Sequence, residues 1–552
     1  MKLDLVVRAA RILTLDPERP VATALGVLGD RIVGFDEEIA GLEALRTEDF
    51  GDATVTPGLI DAHCHTAWWG LGLAAIDLAA ARGLDELYAM IAAEVARLDA
   101  LGDADAWVHG TGFNQSHHDG AFPDIARLDE LTGNRPLYLR HTSGHASITN
   151  SATLRLVGAL DPGFADPVGG VVVRDAAGRP TGLVEEAAQG LVQALLLPYS
   201  TARLVDALEA ATSRYAAQGI TSFTEAGVGG GWIGHSPIEV AAYQAAAESG
   251  RLHARAQLMP AIDALRPLAG HAADFAREGA GAGLDLGIRF GFGDELVRFG
   301  HVKVFLDGSL LGATAAVTED YCGHEHNTGY LLDEPAVYRE RALAAYRSGW
   351  PLALHAIGDA AIDLALDVIE EAQERYGARA VPCRIEHFGI ARPDQVERAA
   401  RLSIAVTPQA GFIGPLGDQM AARVGAERES WLYRGRSIID AGILLAGSSD
   451  LPVADNDLRR GMQAAVDRRT DSGAVLGAAE AITPEEALRT HTEWAARATG
   501  QIADKGTLER GKLADLTVFS ASPLTAPRID ELEIVATMLG GALSHDARSA
   551  AS

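Results

Sequence analysis

Thr54-Val-Thr-Pro-Gly-Leu-Ile-Asp-Ala-His-Cys-His65 is the stretch on which the fold turns. A β-branched and apolar run closes on His63 and His65, and strand alternation puts residues two apart on one face. Four more fragments show short apolar runs ending in residues that can bind a metal or move a proton. They are Val302-Lys-Val-Phe-Leu-Asp-Gly308, His355-Ala-Ile-Gly-Asp359, Glu386-His387 and Ser449-Asp450. Catalytic residues at the C-terminal ends of different parallel strands are the arrangement of a TIM barrel. The expected class is therefore α/β, built on a (β/α)8 TIM barrel.

Working outward, eight strand candidates can be placed, at 54–60, 221–224, 254–258, 302–306, 351–354, 382–385, 403–406 and 442–446. Ala-rich helical patterns at 337–346, 360–376 and 393–401 separate the later ones, as in a closed parallel sheet. The gap from about 66 to 200 is far too long for a βα loop and carries its own strand signals at 136–139 and 170–173. It reads as an inserted domain after the first barrel strand. Residues 1–57 alternate in short β-like runs, and a similar texture returns over 506–519 as two short strands around a Gly-containing turn, so the two ends can pair into one sheet. The expected division is 1–57, a barrel over 58–500 with its insertion, and 501–552.

The chain has 552 residues, with 47 Lys plus Arg against 75 Asp plus Glu, for a formal charge of −28. That balance argues against nucleic acid and anionic membranes as partners. No apolar run approaches the roughly 18 residues of a membrane span, and the opening residues lack a signal-peptide core, so a cytoplasmic protein acting on a small molecule is expected. Whether copies of the chain assemble is left open. The three cysteines, Cys64, Cys322 and Cys383, form no CxxC pair, so any transition metal must be held by imidazole and oxygen.

His63 and His65 suit one ion, and His355 and His387, each closing its own strand, suit a second. Asp450 can touch a metal and still accept a proton. The only lysines are Lys2, Lys303, Lys505 and Lys512, so a lysine inside the apolar run at 302–306 points to chemistry that guanidinium cannot supply. A neutral Lys303 amine that captures carbon dioxide becomes a carbamate, able to bridge two divalent ions. The structural alternative is a buried ion pair with Asp307 or a neighbouring carboxylate. Asp307, Asp359 and Glu386 are placed to orient imidazoles. His145, Trp68, Trp69 and Asp307 are candidate substrate contacts, with His145 also able to reach a developing oxyanion.

This order of HxH, strand-borne Lys, His, His and Asp resembles the amidohydrolase superfamily in its two-metal form. The finer pattern, including His355-Ala-Ile-Gly-Asp359, Arg384-Ile-Glu-His387 and Gly511-Lys-Leu-Ala-Asp515, is similar to the amidohydrolase 3 branch, with its YtcJ-like proteins and N-substituted formamide deformylases. The resemblance implies a metal-dependent barrel, a composite β-sandwich from both termini and a carboxylated Lys303. The segment containing Ser143-Gly-His145 departs from the branch, where an Asp-Gly-His is more usual.

The expected activity is hydrolysis of a non-peptide carbon-nitrogen bond in an amide-like substrate, such as an N-substituted amide or formamide. Two divalent ions, zinc by ligand type, would share the attacking hydroxide, with Asp450 as the proton carrier. Esters, lactones and carbamates present the same polarised carbonyl and are the alternative, and a non-catalytic regulatory protein is the reading from a different class.

Overall fold

The computed structural model describes residues 2–550 apart from 103–105, 142–145, 168, 169, 187, 232, 455 and 456. The chain divides into two compact units, residues 1–66 with 208–552, and residues 67–207.

In the larger unit, nine short strands carry the site. They are β1 (Leu59–Cys64), β2 (Ile220–Val228), β3 (Arg255–Pro260), β4 (Val297–Phe299), β5 (Val302–Phe305), β6 (Leu352–Ala356), β7 (Arg384–His387), β8 (Ala405–Thr407) and β9 (Leu444–Leu445). β1 to β4 form one parallel sheet and β5 to β9 another. A parallel bridge between Ala261 and Lys303 joins them on one side. On the other, Ala62 N donates to Gly447 O at 3.2 Å and Asp450 N to His63 O at 2.9 Å. The hydrogen bonding thus returns to the strand on which it began. β1, β2 and β3 are buried along their whole length, as parallel strands covered on both faces should be. Helices Pro335–Arg347, Asp359–Tyr376 and Pro393–Arg401 follow β5, β6 and β7, and the second turns Ile362, Leu366 and Ile369 inward at helical spacing.

Strands from both ends of the chain form one eight-stranded sheet, in which Thr54–Pro57 pairs antiparallel with Leu516–Phe519. Its core includes Leu5, Val7, Ile12, Val55, Val518 and Met538. A buried, bidentate ion pair between Arg255 on β3 and Asp515 (2.7 and 2.9 Å) ties this sheet to the strands that carry the site. Breaking such a pair by removing one partner typically costs about 3–5 kcal/mol.

Two expected elements are divided differently. The run 54–60 is two strands, because Pro57 has no amide hydrogen and Gly58 passes so close to Thr221 that a Cβ would lie 2.1 Å from its Oγ1. The chain leaves the terminal sheet there and enters β1. Over 506–519 two strands are expected and one is found, Leu516–Phe519; Gly511, at φ +86°, turns the chain before it.

The smaller unit holds a six-stranded sheet that includes Leu137–His141 and Gly170–Arg174. Among the described residues, no helix is long and apolar enough to cross a membrane.

Candidate metal centre

His63 and His65 come from β1, Lys303 from β5, His355 from β6 and His387 from the end of β7, while Asp450 follows β9. All are buried except half-buried His355. Asp450 Oδ1 lies 3.3 Å from His63 Nε2 and 3.2 Å from His65 Nε2, and Lys303 Nζ lies 3.2 Å from the same His63 nitrogen. The His387 ring centroid is 5.0 Å from that of His63 and 4.3 Å from that of His355. The structure therefore brings together all six residues expected to surround metal. Among the described residues, His63, His387 and Asp450 form a group whose ligand atoms lie within 4.8 Å of one another. That group takes one imidazole from each expected histidine pair.

The His63 and His387 rings are oriented from behind. His63 Nδ1 bonds Glu386, which accepts from Arg384 Nη2 at 2.8 Å, and the same guanidinium donates to Ala62 O at 2.7 Å. His387 Nδ1 meets Gln409 Oε1 at 2.7 Å, which leaves Nε2 facing the group. A carboxylate or amide oxygen on the far nitrogen fixes tautomer and ring direction. Arg384 and Gln409 were given no role on sequence grounds. The only signal for Gln409 is its place just past an apolar strand, two residues beyond Thr407.

Electrostatics leave the donors in the forms a cation needs. Burial pushes His65 down to about 4 and His387 to about 3, so both rings are neutral at pH 7. Burial opposes charge on Asp450, but hydrogen bonds to His63 and His65 hold it well below the usual carboxylate range. Burial lowers Lys303 to about 8 against the pull of Glu386 and Asp450.

Asp61 latches the two edges of the site. It accepts from Ser449 N at 3.0 Å, Ser449 Oγ at 2.5 Å and His63 N at 3.2 Å. Next to that contact Asp450 sits at φ +53°, a left-handed conformation that costs about 1–3 kcal/mol unless its surroundings impose it. Asp61→Ala is expected to weaken zinc affinity about 10–100-fold, read by metal titration, with Asp61→Asn closer to wild type. Unchanged affinity in the alanine variant would remove the latch from the account.

Asp307 lies behind His355, 3.3 Å from its Nε2, and accepts from the amides of Ala316 (3.0 Å), Ile357 (3.1 Å) and Gly358 (2.8 Å). These contacts serve orientation of the ring and its strand end. Asp359 accepts from Thr318 N at 2.9 Å and from Arg392 Nη1 at 3.1 Å, away from the imidazoles. Trp68 and Trp69 stand in helix Thr66–Leu73, with the Arg140 guanidinium 5.3 Å from the Trp68 ring. His145 lies outside the described residues.

The donor set fits a divalent ion of the zinc type. Two ligands of one tetrahedral zinc, with bonds of about 2.0–2.1 Å, stand about 3.3 Å apart, close to the separations of Asp450 from His63 and His65. His355 Nδ1 is buried and has no hydrogen-bond partner, which suits a nitrogen meant for a cation.

The model of the amidohydrolase family matches residues 46–545. An N-substituted formamide deformylase of Arthrobacter pascens is 30% identical over 557 residues, covering 98% of each chain. The YtcJ protein of Bacillus subtilis (strain 168) is 29% identical, over 90% of this chain and 89% of its own. Among solved structures, a metal-dependent hydrolase of Pyrococcus horikoshii OT3 superposes with a TM-score of 0.76 at 22% identity, over 96% of this chain and 99% of that one. This likeness is one of fold. With its buried histidines, lysine and aspartate at the ends of parallel strands, the chain belongs to the amidohydrolase family.

Proposed function

We propose that this protein hydrolyses a non-peptide carbon-nitrogen bond of an amide-like small molecule, with N-substituted formamides the first class to test. The observation that carries the reading is the convergence of His63 Nε2, His65 Nε2, Asp450 and Lys303 Nζ within 3.2–3.3 Å contacts, with His387 alongside. The Arthrobacter relative, similar along nearly the whole chain, supports the substrate class. In this reading the ring of parallel strands is a (β/α)8 barrel, the terminal sheet a composite β-sandwich and residues 67–207 the inserted domain.

His63 and His65 would hold one divalent ion, His355 and His387 a second, with Asp450 beside the first and carboxylated Lys303 between them. Bound zinc supplies a Lewis acid that polarises a carbonyl and acidifies water near neutral pH. Asp450, ionised at neutral pH, takes the proton from the attacking water and returns it to the leaving nitrogen. Glu386 and Gln409 keep the imidazoles aimed, so little reorganisation accompanies reaction.

The test is a panel of N-alkyl formamides, acetamides and matching esters, assayed with zinc-loaded protein by amine or alcohol release. Formamide turnover above ester turnover is expected; ester turnover alone would overturn the assignment of the bond. Lys303 gives a second expectation. Lys303→Arg keeps the positive charge yet cannot take up carbon dioxide, so bound zinc should fall from two ions to one or none. If zinc content is unchanged in that variant, Lys303 is a structural cation.

A further inference from the structure

A cavity of about 160 Å³ opens beside the centre, at the C-terminal ends of β2, β3 and β5. Ile233, Ile262, Val304, Phe305, Leu332 and Tyr338 form most of its wall, and Lys303 contributes to it. Phe305 is the shared partition. Its ring centroid is 4.6 Å from Lys303 Nζ and 5.3 Å from that of His355, while the same residue lines the cavity. Apart from buried Lys303, the charged residues on this wall are Asp263, Asp333 and Arg341, of which Arg341 and Asp263 pair at 2.6 Å with both side chains partly exposed.

We propose that this cavity is a substrate pocket for an uncharged, apolar substituent of four to seven carbons, attached to the group being hydrolysed. This rests on the hydrolase reading above and adds the class of substrate. Size sets the limit, since an apolar cavity of about 150 Å³ accommodates a benzene ring. Polarity sets the class. Ile233 and Ile262 are 5% and 7% exposed and offer nothing to solvate a charge, and Asp263 and Asp333 at the edge disfavour a carboxylate. Phe305 then governs specificity, because it lines the cavity and its ring stands 4.6 Å from Lys303 Nζ at the centre.

Two readouts test this on the zinc-loaded full chain. The first is kcat/KM for N-methyl, N-isobutyl and N-cyclohexylmethyl formamide, and for N-methyl amides carrying the same groups on the acyl side. In wild type the larger substituents should be preferred in one series, which tells whether the pocket takes the amine or the acyl group. Ile262→Phe and Ile233→Phe fill the space and should lower the large-to-small ratio of kcat/KM about tenfold or more. Leu332→Trp, at the 45% exposed rim, gives the same reading if the interior variants fold poorly. The second readout is binding of 4-fluorotoluene, followed by fluorine NMR, which needs no turnover. Binding to wild type that is lost in Ile262→Phe supports the pocket even if no amide is hydrolysed, and in that case only the hydrolase reading fails. Turnover with an unchanged ratio in all three variants, or no 4-fluorotoluene binding to wild type, overturns the pocket and leaves the hydrolase reading intact.

Discussion

Asp450→Asn is expected to keep the fold and most of the bound zinc while lowering kcat by about 10²–10⁴-fold, the usual loss when a positioned acid-base group is removed. The side chains are nearly isosteric, and an amide oxygen can still face His63 and His65. The backbone contact from Asp450 N to His63 O, 2.9 Å long, does not depend on the side chain. What the amide cannot do is accept a proton and pass it on. The measurement is steady-state kinetics beside metal content and thermal melting. Near-normal kcat would exclude Asp450 as the proton carrier, and a loss explained by missing zinc would reduce it to a ligand.

His387→Ala should have an effect as large by another route. Its ring belongs to the group of ligand atoms within 4.8 Å of one another, and alanine leaves only water to fill that position. Zinc should be depleted in the purified variant, with activity lost and regained only in excess zinc if at all. Gln409→Ala is the companion, since it keeps the ring but removes the oxygen bonded to Nδ1 at 2.7 Å. Its zinc affinity should fall about 10–100-fold, between wild type and His387→Ala. Equal zinc content in wild type and His387→Ala would show that this imidazole is structural.

The imidazoles were legible because their positions obey local rules. His63 and His65 share a face through the period of two along a strand, and His355 and His387 each close an apolar run. Lys303 stood out because lysine is scarce in this chain. The supports were not legible, since their partners are distant in sequence. Asp61 and Ser449 are 388 residues apart, and Glu386 reaches His63 across 323. Nothing local in Gln409 distinguishes it from a polar loop residue. The division at Gly58 was missed for a similar reason: Thr54 to Ile60 reads as one β run, and only the close approach of Thr221 shows why the chain must change sheets. The candidate at 302–306 is β5, while β4 just before it was not among the candidates; Gly300 stands between them, where a Cβ would meet Gln257 at 2.8 Å.

The central claim is that His63, His65, His355, His387 and Asp450 surround catalytic divalent ions. A crystal structure of protein purified without chelators, with anomalous data on both sides of the zinc edge, tests it most directly. The account predicts a zinc peak bonded to His63, His65 and Asp450, a second bonded to His355 and His387, and density extending beyond Nζ of Lys303 between them. Zinc-replete crystals with no peak among these residues, and a bare Lys303 ammonium facing a carboxylate, would contradict it.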